Sequence, residues 1–244
     1  MVDAVATGAS ALLLTAVLAS LLHGPWPAKL VVALAGLLIQ VPASISVLRR
    51  RPRRTSAADR VTLLRGVLAG GCASLVALSL LGDLPLRSWP LFWLALPAFL
   101  LDGVDGWLAR RTGTSSKAGG RLDMETDAAF FLVLSIPLSL AVGPWVLGIG
   151  MLRYVFLAAS WLRPALSGPL AFSSFRRTAA GVQGGVLVAV CSPMVPDTVA
   201  AVATATALGV LAVSFGLDVA TLERARTGAA PVERPSETSG HAQQ

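Results

Sequence analysis

The chain has 244 residues, of which 55% are hydrophobic and only 14% charged, with a mean hydropathy of +0.71. Charge this sparse cannot clothe a water-soluble globule of such length, so the composition points to a polytopic membrane protein. The net charge of +7 and pI near 10.9 do not imply nucleic acid, because the basic residues stand between apolar runs and read as topology and anionic-lipid signals.

Residues 4 to 22 and 28 to 48 are the first apolar runs, each close to the ~20 residues that cross a bilayer, split by Gly24-Pro25-Trp26-Pro27. Asp3, with no Lys or Arg before the first run, argues against a cleaved signal peptide. The cluster Arg49, Arg50, Arg51, Arg53 and Arg54 follows directly and, by the positive-inside tendency, is cytoplasmic. A third span is expected over about 59 to 82, a fourth over 89 to 110 and a fifth from Gly119 to about Leu140, with Gly143-Pro144 beyond it. The sixth runs over 145 to 163. A polar loop through Ser173, Ser174, Arg176 and Arg177 leads to the seventh, 178 to 194, and the eighth, 197 to 220. Alternating from a cytoplasmic Arg49–Arg54 cluster puts Arg110, Arg111, Lys117, Arg121, Arg163, Arg176, Arg177, Arg224 and Arg226 inside, and only Lys29 and Arg87 clearly outside. Both termini are then cytoplasmic.

Between the fourth and fifth spans lies LDGVDGWLARRTGTSSKAGGRLDMETDAAF, residues 101 to 130, with four aspartates between apolar segments. Asp102, Asp105, Gly106, Ala109 and Arg110 recur at three- and four-residue steps and share one helical face. After a polar turn with Gly113, Ser115, Ser116 and Lys117, Gly119, Asp123 and Asp127 repeat the pattern at four-residue steps. Two helices meeting here can aim four carboxylates into one space, where their repulsion requires a cation. Oxygen ligands without a His or thiolate cluster suit magnesium or manganese, two ions being compatible with four acids, and such ions complete their shells with substrate phosphates. Glu125 falls on the other side of its helix and is expected to pair with a neighbouring span.

The pattern Asp102-x2-Asp105-Gly106-x2-Ala109-Arg110-x8-Gly119-x3-Asp123-x3-Asp127 resembles the motif of the CDP-alcohol phosphatidyltransferase family at all eight defined positions. The resemblance implies a membrane enzyme that displaces CMP from a CDP-linked alcohol, usually CDP-diacylglycerol, with the hydroxyl of a second alcohol. By motif position it implies that Asp102, Asp105 and Asp123 ligate metal, while Asp127 ligates metal or takes the acceptor proton. Gly106, Ala109 and Gly119 would line the cytidine nucleotide, and Arg110 would pair with its phosphate or fix the aspartates. Asp59-Arg60-Val61-Thr62-Leu63-Leu64-Arg65 is similar to the start of the family's first core span, with Thr62 and Arg65 matching and Asp59 where Asn is usual. Thr62 and Arg65 are therefore candidates near the nucleotide or metal, and Asp59 a candidate helix cap.

Lys117, Arg121, Arg153, Arg176 and Arg177 are candidates for an acceptor phosphate, Arg153 chiefly because a charge inside an apolar span has a functional or paired reason. Trp26, Trp89, Trp145 and Trp161 stand at span ends as interfacial anchors. Cys72 and Cys191 read as small buried hydrophobes, and His23 and His241 are poor catalytic candidates. Gly181, Gly184 and Gly185 permit close helix packing, a dimer interface included. The expected fold is an all-α polytopic membrane bundle. Residues 1–54 form a two-helix hairpin with the basic cluster, 55–222 a six-span catalytic core like that of the family, and 223–244 a disordered tail. The competing reading, a cation transporter lined by the four carboxylates, is opposed by their clustering at one membrane face.

Overall fold

The computed structural model describes residues 2–48, 57–111, 117–162 and 174–228, and among these it is helical throughout, with turns and no strand. The helices are α1 (Val2–Ser20), α2 (Trp26–Leu48), α3 (Ala57–Leu80), α4 (Trp89–Arg111), α5 (Lys117–Ala141), α6 (Val146–Leu162), α7 (Ser174–Cys191) and α8 (Asp197–Gly228). Each of the eight apolar runs of the sequence has become one helix. Arg60–Leu80, Asp123–Ala141 and Asp197–Thr221 are long and apolar enough to cross a membrane, and the other five apolar helical segments are shorter. Large apolar side chains such as Leu13, Leu38, Trp93, Leu140 and Val202 point away from the bundle, a surface that suits lipid and not water.

Two boundaries differ from the sequence expectation. The expected polar loop at Ser174, Arg176 and Arg177 is the first turn of α7, and α8 continues past 220 through Arg224 and Arg226 to Gly228. Polarity marks where a chain leaves an apolar layer, not where its helix stops, and Leu-Glu-Arg-Ala-Arg is a strong helix former. The basic cluster at 49–54, Arg163 and residues 229–244 lie outside the described residues. Pro42, Pro97 and Pro137 sit inside helices, which a packed membrane bundle tolerates because neighbouring groups re-satisfy the backbone.

Helix α3 is the centre of the bundle, packed by α1, α2, α4 and α5, and 83% of its apolar window is buried, against 28% for α8. The reason is its run of small residues. Gly70 approaches the Gly36 backbone of α2 so closely that any Cβ would meet that carbonyl, and Ser74 Oγ donates to Val32 O of α2 at 2.9 Å. The antiparallel α1–α2 hairpin is thereby fixed on α3. At its C-terminus α3 closes with Gly82 at φ 90°, where Asp83 N–H reaches Leu78 O and Gly82 N–H reaches Ser79 O, a Schellman turn that needs the left-handed residue.

At the end where α3 closes, the α3–α4 and α7–α8 loops are stitched together. Arg87 donates to the carbonyls of Val190 and Ser192, each at 2.9 Å, to that of Val195, and to Asp197 Oδ1 at 2.6 Å. The start of α3, the end of α4 and the start of α5 therefore meet at the opposite end of the bundle.

Candidate metal centre

Three helix ends build the site. Arg65 lies two turns into α3, Asp102 two turns before the end of α4, and Asp123 and Asp127 one turn apart near the start of α5. The polar stretch of the sequence separates α4 from α5, so the acids arrive at one end without breaking an apolar span. Asp102, Asp123 and Asp127 each offer a carboxylate oxygen within 4.8 Å of the others, the one such acidic or metal-ligating group among the described residues.

Arg65 stands at their centre. Its Nη1 donates to Asp102 Oδ1 at 2.9 Å and to Asp123 Oδ1 at 2.7 Å, and its Nη2 donates to Asp127 Oδ1. The Arg65 side chain is 3% exposed, whereas the three aspartates are 41, 35 and 29% exposed. The guanidinium thus comes from the core side, and the carboxylates open outward. A planar fork with several donors is the cationic side chain able to hold three acids at once. Three carboxylates meet on this guanidinium and remain open outward, and a donor set of hard carboxylate oxygens fits a divalent cation.

Thr62 is buried one turn before Arg65, at 6% exposure, on the same side of α3. Asp105, Gly106, Ala109 and Arg110 belong to α4, and Lys117, Gly119 and Arg121 to α5, but their side chains lie outside the described residues, as does that of Asp59 in α3. The side chains of Arg176 and Arg177 in α7 do too. Gly103 and Gly120, the glycines described beside the acids, have open space where a Cβ would project.

Arg153 is placed elsewhere. Its Nη2 donates to Glu125 Oε1 at 2.7 Å, joining α6 to the face of α5 turned away from Asp123 and Asp127, while its buried Nε has no partner. Glu125 so has the ion pair with a neighbouring span that its position predicts. Among the aspartates' partners, the resemblance of residues 59–65 to the family's first core span singled out Arg65, yet nothing local in that segment shows that it reaches both α4 and α5.

The family model for CDP-alcohol phosphatidyltransferase matches residues 55–217, from just before α3 well into α8, and so includes every helix that supplies the cluster. Neither a curated protein nor a solved structure matches the chain. With the acids of the motif converging from α4 and α5 inside that matched region, the chain belongs to the CDP-alcohol phosphatidyltransferase family, membrane enzymes that transfer a phosphatidyl group from a CDP-alcohol.

Proposed function

We propose that the protein transfers the phosphatidyl group of CDP-diacylglycerol to an acceptor alcohol in phospholipid synthesis, releasing CMP, with Mg²⁺ or Mn²⁺ held by Asp102, Asp105, Asp123 and Asp127. The observation that carries this reading is the convergence of Asp102, Asp123 and Asp127 at the meeting of α4 and α5. Bound there, one or two divalent ions would supply charge neutralisation for the pyrophosphate and its leaving group.

The chain's own residues do the rest. Asp127 accepts the proton of the acceptor hydroxyl as that oxygen forms its bond to the lipid-side phosphorus; the bond from this phosphorus to the bridging oxygen breaks, and CMP departs with the electron pair. Gly106, Ala109 and Gly119 line the nucleotide, with Thr62 and Arg65 beside it and Arg110 on its phosphate. Lys117 and Arg121 serve an acceptor that carries phosphate, whereas Arg153 is taken up by its pair with Glu125.

In this reading all eight helices cross the membrane, residues 55–222 form the catalytic core, and residues 1–54 add a hairpin to it. The aspartate end and both termini face the cytoplasm. Two copies associate as a homodimer.

The test uses purified protein in detergent with labelled CDP-diacylglycerol and a panel of serine, glycerol 3-phosphate, inositol phosphate and phosphatidylglycerol. CMP and one lipid product should appear with Mg²⁺ or Mn²⁺, and chelation should stop both. Absence of CMP and of lipid product with every acceptor would overturn the reading.

A further inference from the structure

The position of Arg65 says more than that it neighbours the site. Its Nη1 bridges Asp102 Oδ1 and Asp123 Oδ1 at 2.9 and 2.7 Å while Nη2 holds Asp127 Oδ1, so one guanidinium engages an oxygen of each carboxylate in the cluster. The same three carboxylates each offer an oxygen within 4.8 Å of the others, so the guanidinium and an ion would draw on one set of acids. Two cations drawn to the same three acids repel each other, and at a site only partly open to water that repulsion is poorly screened.

We propose that Arg65 is a built-in competitor of the metal: it holds the aspartates together as their counter-ion, and loading requires the ion to take these oxygens from it. The inference rests on the metal reading above. The burial of Arg65 fits the role, since the guanidinium arrives from the core and the ion from the exposed side, so neither must pass the other. Without Arg65 the three carboxylates lose this counter-ion, the unloaded protein loses stability, and the metal has one rival fewer.

The experiment measures Mn²⁺ binding by the electron paramagnetic resonance signal of free Mn²⁺, together with thermal unfolding in chelator and in Mn²⁺, on full-length protein in detergent. Arg65→Gln should bind Mn²⁺ at least about tenfold more tightly than wild type. It should melt earlier than wild type in chelator and recover most of that loss in Mn²⁺. Arg65→Lys, which keeps a charge but lacks the fork, should fall between them and serves if the Gln variant does not fold. Mn²⁺ affinity that is unchanged or weaker in both variants overturns the proposal and makes Arg65 a residue that positions the ligands instead. Asp123→Asn separates the two readings. If wild type binds Mn²⁺ and Asp123→Asn does not, the metal reading stands whatever Arg65 does; if wild type binds none, both fall.

Discussion

Among the aspartates, charge and shape can be separated, because asparagine keeps the outline of the side chain and one ligand oxygen. Asp102→Asn should abolish turnover and leave membrane insertion and expression intact, since it removes a charge at the end of α4 without adding bulk. A variant with near wild-type turnover would take Asp102 out of the site. Asp127→Asn and Asp105→Asn should differ in kind. The first still binds CDP-diacylglycerol with Mg²⁺ but loses about 10² to 10⁴ in turnover, the share of a positioned base. The second weakens metal and donor binding. Donor affinity and turnover measured for both decide it, and equal loss of donor binding would make Asp127 a ligand and not the base.

How much of this was legible at the residue scale depends on the span of sequence involved. Asp123 and Asp127 are a local pair, and helical spacing alone places them on one face. Their meeting with Asp102 follows from a short polar connection between two helices. Arg65 lies 37 residues before Asp102 and 62 before Asp127, and no periodicity carries information over that distance. The same holds for Arg87, which the sequence shows only as an outside charge and which the fold uses to join two loops.

For the helices, hydropathy located all eight and misplaced only ends, but it was silent on which helix packs against which. Small residues decide that. Gly184 of α7 has Phe99 and Phe131 where a Cβ would stand, so this glycine serves packing inside the chain, whereas Gly181 faces open space. A close crossing joins Gly70 of α3 to Gly36 of α2. Gly70→Ala must push a Cβ into the Gly36 carbonyl and spread two helices, a cost of about 1–3 kcal/mol, typical of overpacking. Gly209→Ala, in open space on α8, should be neutral by comparison. Thermal unfolding of both variants in the same detergent checks this, and equal melting temperatures would show that the α2–α3 crossing is looser than its geometry. Because the hairpin presses on the helix that carries Arg65, Gly70→Ala should also lower turnover.

In the molecule as a whole the two ends of the bundle have different tasks. One end gathers three acids around Arg65; the other is fixed by Arg87. Its side chain is 10% exposed and feeds three backbone carbonyls around the α7–α8 connection, while its fourth partner, Asp197, is 85% exposed. A surface ion pair of that kind contributes about 0–1 kcal/mol, so the carbonyls are what matter. Arg87→Ala should therefore cost about 1–3 kcal/mol, the penalty for stranding poorly solvated acceptors. Asp197→Asn should cost under about 0.5 kcal/mol, as an exposed substitution does. Arg87→Lys should resemble Arg87→Ala, because an ammonium on a single stem cannot reach carbonyls spread over Val190, Ser192 and Val195. Mn²⁺ affinity should stay unchanged in all three, since the aspartates lie at the far end of α3 and α4. Unfolding in detergent with parallel Mn²⁺ binding tests this division: if Arg87→Ala weakens metal binding while the protein remains folded, the two ends are coupled through the bundle and the stitch has a part in the site.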